Sequence, residues 1–171
     1  MAANGLVYFS LRRAARAAGT THKVLLYHFA SADDLLVQTV LQLRDRRIEK
    51  GMAAAGQAAG QQKLSARVRA IWPILIRDEG QVLDQAIGLA MYDPERYAGL
   101  SKGASQQYLP SLLSLCPPGW SDHRKLEVAE MILAAFRGFL IDRLASGNTS
   151  GVDAGLEALS RALDREEAAA E

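Results

Sequence analysis

The sequence predicts an all-α protein, and three observations carry that prediction. Apolar residues fill 49% of the 171 positions, with alanine and leucine dominant, which is enough for a substantial core. No stretch alternates apolar and polar residues with the period of two that a half-buried strand requires, whereas spacings of three and four recur. Prolines number only five, so most of the chain is free to be helical.

The first element is a helix over Leu11–Ala18, capped by Ser10, with Leu11, Ala14, Ala15 and Ala18 as its apolar stripe. Gly19 stands where a helix end favours a left-handed residue. Thr21 caps a second short helix, His22–His28. Two short helices joined by a turn containing glycine form a helix-turn-helix, whose second helix enters the DNA major groove. That second helix offers His22, Lys23, Tyr27 and His28 as polar or basic groups, and Val24, Leu25 and Phe29 as anchors to a core. Ser31 opens the next helix, with Asp34 three residues past the cap. This helix is expected from Asp33 to about Glu49, with Arg44, Arg46, Arg47 and Lys50 at its end, where cations complement the helix dipole.

Gly51 to Gln62, GMAAAGQAAGQQ, is low in complexity and reads as a linker. The predicted division is therefore a head at 1–50, a linker at 51–63 and a body at 64–171. The body reads as five helices. The first, Leu64–Asp78, contains Pro73, and the second is Gln81–Tyr92. Asp93-Pro94-Glu95 is a helix-start signal for a less regular segment to about Leu115, interrupted by Gly99, Gly103 and Pro110. Ser121–Ser146 carries two apolar stripes, one of Leu126, Ala129, Ile132, Leu133, Phe136 and Leu140, the other of Val128, Met131, Ala135 and Phe139. A helix apolar on two sides is expected to pack twice, on its own body and on a partner. Asp153–Ala169 closes the chain with Leu156, Leu159 and Leu163.

Net charge is +1 but uneven: residues 1–50 carry 8 Lys/Arg against 4 Asp/Glu, and the remainder carries 12 against 15. A basic head on a mildly acidic body suits nucleic-acid contact at the head. Cys116 is the only cysteine, which excludes an intrachain disulfide. The longest apolar runs are too short to span a bilayer, and the N-terminus lacks a signal-peptide pattern, so a cytoplasmic protein is expected, with no membrane partner. His22 and His28 are six residues apart and splay on a helix, and no zincin, Cys/His or phosphate-loop motif occurs. No catalytic residue, metal site or cofactor is expected, and the chain is not read as an enzyme.

ARAAGTT at 15–21, LYHF at 26–29 and SADDLL at 31–36 resemble the DNA-binding domain of tetracycline-repressor-type (TetR-like) regulators over about 30 residues. The resemblance implies a one-component regulator, a repressor, that binds double-stranded operator DNA as a homodimer and is released by a small, mostly apolar effector. It implies DNA contacts from Ser10, Arg12, Thr20, Thr21, His22, Lys23, Val24, Tyr27 and His28. Family members carry a further helix before the Ser10 position. Here only Met1–Asn4 precede Gly5, so most of that helix is expected to be missing and the apolar side of Leu11, Leu25 and Phe29 uncovered. Ala32 stands where the family has a lysine near the DNA backbone. Both departures favour an alternative, a non-DNA-binding helical dimer or ligand-binding protein with a degenerate or truncated head. The expected effector pocket is Trp72, Ile76, Met91, Tyr92, Tyr108, Leu112 and Phe136. The expected dimer interface is Val128, Met131, Ala135, Phe139, Leu156, Leu159 and Leu163.

Overall fold

Ser10 and Thr21 each accept a backbone N–H three residues on, from Arg13 at 3.4 Å and from Val24 at 3.3 Å, and so begin two seven-residue helices, α1 (Leu11–Ala17) and α2 (His22–His28). Gly19 turns the chain between them at φ 65°, a conformation that a side chain would strain. This is a computed structural model, and it describes residues 6, 9–57, 63–77 and 80–169. Every regular element among the described residues is a helix. After α2 come α3 (Ala32–Gln57), α4 (Leu64–Leu75), α5 (Gly80–Tyr92), α6 (Pro94–Ser101), α7 (Ala104–Leu115), α8 (Asp122–Ser146) and α9 (Thr149–Ala168).

Two compact units interleave along the chain: Met1–Arg46 with Asp78–Lys102, and Arg47–Arg77 with Gly103–Glu171. This differs from the division at 50 and 63 read from the sequence. Residues 51–57 continue α3, because Met52 and Ala55 pack into the core of the second unit and Gly51 lets Ile71 approach closely. Residues 58–62 of the expected linker lie outside the described residues. The segment expected to be irregular after Asp93 is two helices, α6 and α7, parted at Gly103 with φ 74°. They belong to different units.

In the first unit, Leu36 and Val40 of α3 pack with Val82, Leu83 and Ala86 of α5 and Leu100 of α6. Leu6 joins this core at 3% exposure, its N–H donating to Gln85 Oε1 at 2.9 Å. Leu11, Ala15 and Leu25 form a second cluster, walled by Ala14, Phe29, Ala32 and Leu35. The expectation of an uncovered apolar side is therefore corrected: Leu11 and Leu25 are each 9% exposed, because α1, α2 and the start of α3 cover one another. Asp34 fixes that start. It accepts from the Gln38 amide and the Ala30 N–H, which together hold its carboxyl below the ordinary value.

Two of the basic residues expected to cap α3, Arg44 and Arg47, meet the ends of other helices instead, since α3 runs on past them. Arg44 is buried and donates to the Leu100 carbonyl near the end of α6, within the first unit. Arg47 is buried and donates to the Leu75 carbonyl at the end of α4, within the second. A cation at a helix C-terminus satisfies an orphan carbonyl and opposes the dipole.

The second unit packs α4, α7, α8 and α9 around a core that includes Trp72, Leu115, Ile132, Phe136 and Leu163. The start of α4 is tied to the end of α9 by Leu64 N–H to Glu167 Oε1 at 2.9 Å and Ser65 Oγ to Asp164 Oδ1 at 2.6 Å. Arg69 pairs with Glu157, and this pairing lowers the Glu157 pKa. Most of the expected dimer interface is interior to this unit. Val128, Leu156, Leu159 and Leu163 are 4%, 7%, 7% and 0% exposed, and Ala135 and Phe139 are partly buried against the same core. Most of the two sequence stripes of α8 form one broad buried face, but Leu126 and Met131 lie outside it, 44% and 36% exposed. The open face of α8 carries Glu127, Glu130, Met131, Ala134, Gly138 and Ile141.

No helix among the described residues is long and apolar enough to cross a membrane. No group of three His, Cys, Asp or Glu among them is arranged to hold a metal ion.

Candidate nucleic-acid interface

Leu25 fixes how α2 is presented. It is buried against Leu11 and Ala15, so the residues on the other side of a 100°-per-residue helix must face solvent. Lys23 and Tyr27, four residues apart, project most directly away from it, and both are exposed, Tyr27 by 86%. His22, Val24, Leu26 and His28 flank this ridge and are exposed as well. The Tyr27 and His28 rings meet edge to face at 5.1 Å between centroids.

On α1, Arg12, Arg13 and Arg16 are exposed, while Leu11 and Ala15 face inward. From Ser10 to Phe29 the chain holds four Lys/Arg, two histidines and no carboxylate side chain. The α1–α2 pair therefore carries cationic side chains and no acid within its own sequence, a charge character suited to a phosphate backbone.

Each residue expected at this surface has a definite place. Arg12, Thr21, His22, Lys23, Val24, Tyr27 and His28 are exposed on α1, α2 and the cap of α2. Ser10 and Thr20 are half-buried, and Ser10 and Thr21 use their side-chain oxygens as caps. Arg13, Arg16 and Leu26 were not singled out in the sequence. The signal for the arginines was present: positions 12 and 16 are one turn apart on a helix whose inward stripe is Leu11 and Ala15.

The expected effector pocket is not assembled as a set. Trp72, Tyr108, Leu112 and Phe136 come together in the second unit, where the Trp72 ring lies 5.9 Å from Phe136 and 6.0 Å from Phe139. Ile76 caps the end of α4 and is 36% exposed. Met91 and Tyr92 belong to the first unit and are 73% and 88% exposed, so they wall no interior space there. Their place in the apolar pattern of α5 suggested burial, but Val82, Leu83, Ala86 and Ala90 take the inward face. Cys116 is buried, which raises its thiol pKa, with Lys125 and Arg67 acting in the opposite sense.

No protein-family model, curated protein or solved structure matches the chain.

Proposed function

We propose that the chain is a DNA-binding transcriptional regulator of the TetR-like kind, in which α1 and α2 act as the helix-turn-helix and α2 enters the major groove. The carrying observation is the α1–α2 pair itself: two capped seven-residue helices, a positive-φ Gly19 turn, a shared Leu11–Ala15–Leu25 core and an exposed surface with four Lys/Arg and no acid. In this reading Arg12 and Arg16 meet phosphates, and the Lys23–Tyr27 ridge faces base edges. The protein acts as a repressor and carries out no chemistry.

The active species in this proposal is a two-fold homodimer. Its interface is the open face of α8, where Ala134 and Gly138 between Met131 and Ile141 permit close approach of two helices. A two-fold contact of this kind uses the same patch on both copies. A small apolar effector held beside the Trp72–Phe136–Phe139 cluster of the second unit would favour a DNA-incompetent arrangement.

Selection of duplexes from a randomised library by the full chain tests the proposal. The expected result is enrichment of a palindrome whose half-sites are about one helical turn apart, roughly 34 Å, or a multiple of that. Failure to enrich any duplex would overturn it.

A further inference from the structure

We infer that Val24 and Tyr27 read thymine methyl groups, so that thymines at fixed positions of each half-site specify the operator. This rests on the DNA-binding reading above and adds what its second helix recognises. In the major groove, adenine is met by Asn or Gln, cytosine by Asp or Glu, guanine by Arg or Lys, and thymine by apolar contact with its methyl group. The α2 sequence, HKVLLYH, contains no amide, no carboxylate and no arginine. The bidentate amide and carboxylate pairings for adenine and cytosine are therefore missing from α2, and the donors left for guanine are Lys23 and the His22 and His28 imidazoles. What α2 does present is apolar surface. Tyr27 is 86% exposed, Leu26 46% and Val24 45%; Val24 and Tyr27, three residues apart, share one side of the outward ridge and form one continuous patch, and Leu26 lies on the other side. The charge of α1 and α2 suits that surface to a polyanion, since four Lys/Arg and no carboxylate lie between Ser10 and Phe29, the next acids being Asp33 and Asp34 at the start of α3. Thr21 is committed to capping Val24 N–H at 3.3 Å, so its oxygen is engaged within the protein.

The test replaces each thymidine of a library-selected duplex, one at a time, by deoxyuridine. Uracil keeps every hydrogen-bonding group of thymine and lacks only the methyl. One or two positions per half-site are expected to lose about fourfold in affinity each, the equivalent of one buried carbon. Val24→Ala is expected to bind the thymidine duplex as weakly as the wild type binds the deoxyuridine one, and to remove the discrimination at one position. Tyr27→Ala should do the same at the other. Both side chains are exposed, so helix content by circular dichroism should match wild type. If every deoxyuridine duplex binds like its parent, or if both variants keep full discrimination, the inference is overturned while DNA binding stands. If no duplex is enriched, the DNA-binding reading itself fails and takes this one with it. If the two variants instead abolish self-association of the chain, the exposed apolar surface of α2 is a protein contact and the inference is equally overturned.

Discussion

Truncating Leu163 to alanine separates a core residue from an interface residue. Leu163 is 0% exposed within the second unit, surrounded by the α4, α8 and α9 core. Leu163→Ala removes three carbons from full burial, about 2.4 kcal/mol at roughly 0.8 kcal/mol each, and leaves a cavity that adds to the loss. A total of about 3–5 kcal/mol follows. With a urea dependence of about 2 kcal/mol per molar, the unfolding midpoint should fall by roughly 1.5–2.5 M. Both tryptophans, Trp72 and Trp120, lie in the second unit, so tryptophan emission follows that unit without a signal from the first. The loss should be the same at low and high chain concentration, and the sedimentation behaviour of the folded variant should match wild type. An unchanged midpoint combined with loss of self-association would place Leu163 at a subunit contact and refute its assignment to the core.

Four further outcomes follow from the packing and the proposed function. Gly155→Ala would set a Cβ 2.5 Å from Phe139 Cε1, whose ring is held edge-on to Trp72, so overpacking of about 1–3 kcal/mol should exceed the gain of roughly 1 kcal/mol in helix propensity; Gly88→Ala has no atom within 4 Å and should stabilise α5 by up to about 1 kcal/mol, both measured by thermal melts. Ile141→Glu, at a side chain 50% exposed, should keep the helix content of wild type, convert the proposed dimer to monomers in small-angle scattering and make the melt independent of chain concentration. An effector that releases DNA should quench or shift tryptophan emission, and Trp72→Phe should remove that response while Trp120 remains. A DNA-releasing compound that leaves the Trp72 signal untouched would place its pocket elsewhere.

The local elements were legible because their causes are local. Ser10, Thr21, Asp93 and Ser121 are caps that act within three residues, and Gly19 is a turn that acts on itself. The join at 51–57 was not, because glycines read as breakers when their partner is unseen; Gly51 stays helical through its close contact with Ile71, twenty positions away. The same limit explains α8. Periodicity shows that Val128, Ala135 and Phe139 want burial but not which surface buries them, and here α4, α7 and α9 suffice. The face of α8 that stays open is mixed, Ala134 and Gly138 among larger and acidic residues, and carries little hydrophobic signal in sequence. Met91 and Tyr92 fail for a related reason: they end an apolar run but lie on the side of α5 turned away from the face of Val82, Leu83, Ala86 and Ala90. In the head, the basic surface was readable from composition, while the exposure of Leu26 depended on the position of Leu25 in the core.

Equilibrium binding of the full chain to a selected duplex, followed by fluorescence anisotropy between about 50 and 200 mM salt, bears directly on the claim that α1 and α2 bind DNA. Affinity should fall linearly on a log–log scale as salt rises, and Arg12→Ala and Arg16→Ala should each reduce the slope by about 0.9, one phosphate contact apiece. Binding that is absent at the lowest salt, or a slope that neither arginine variant changes, would contradict the account.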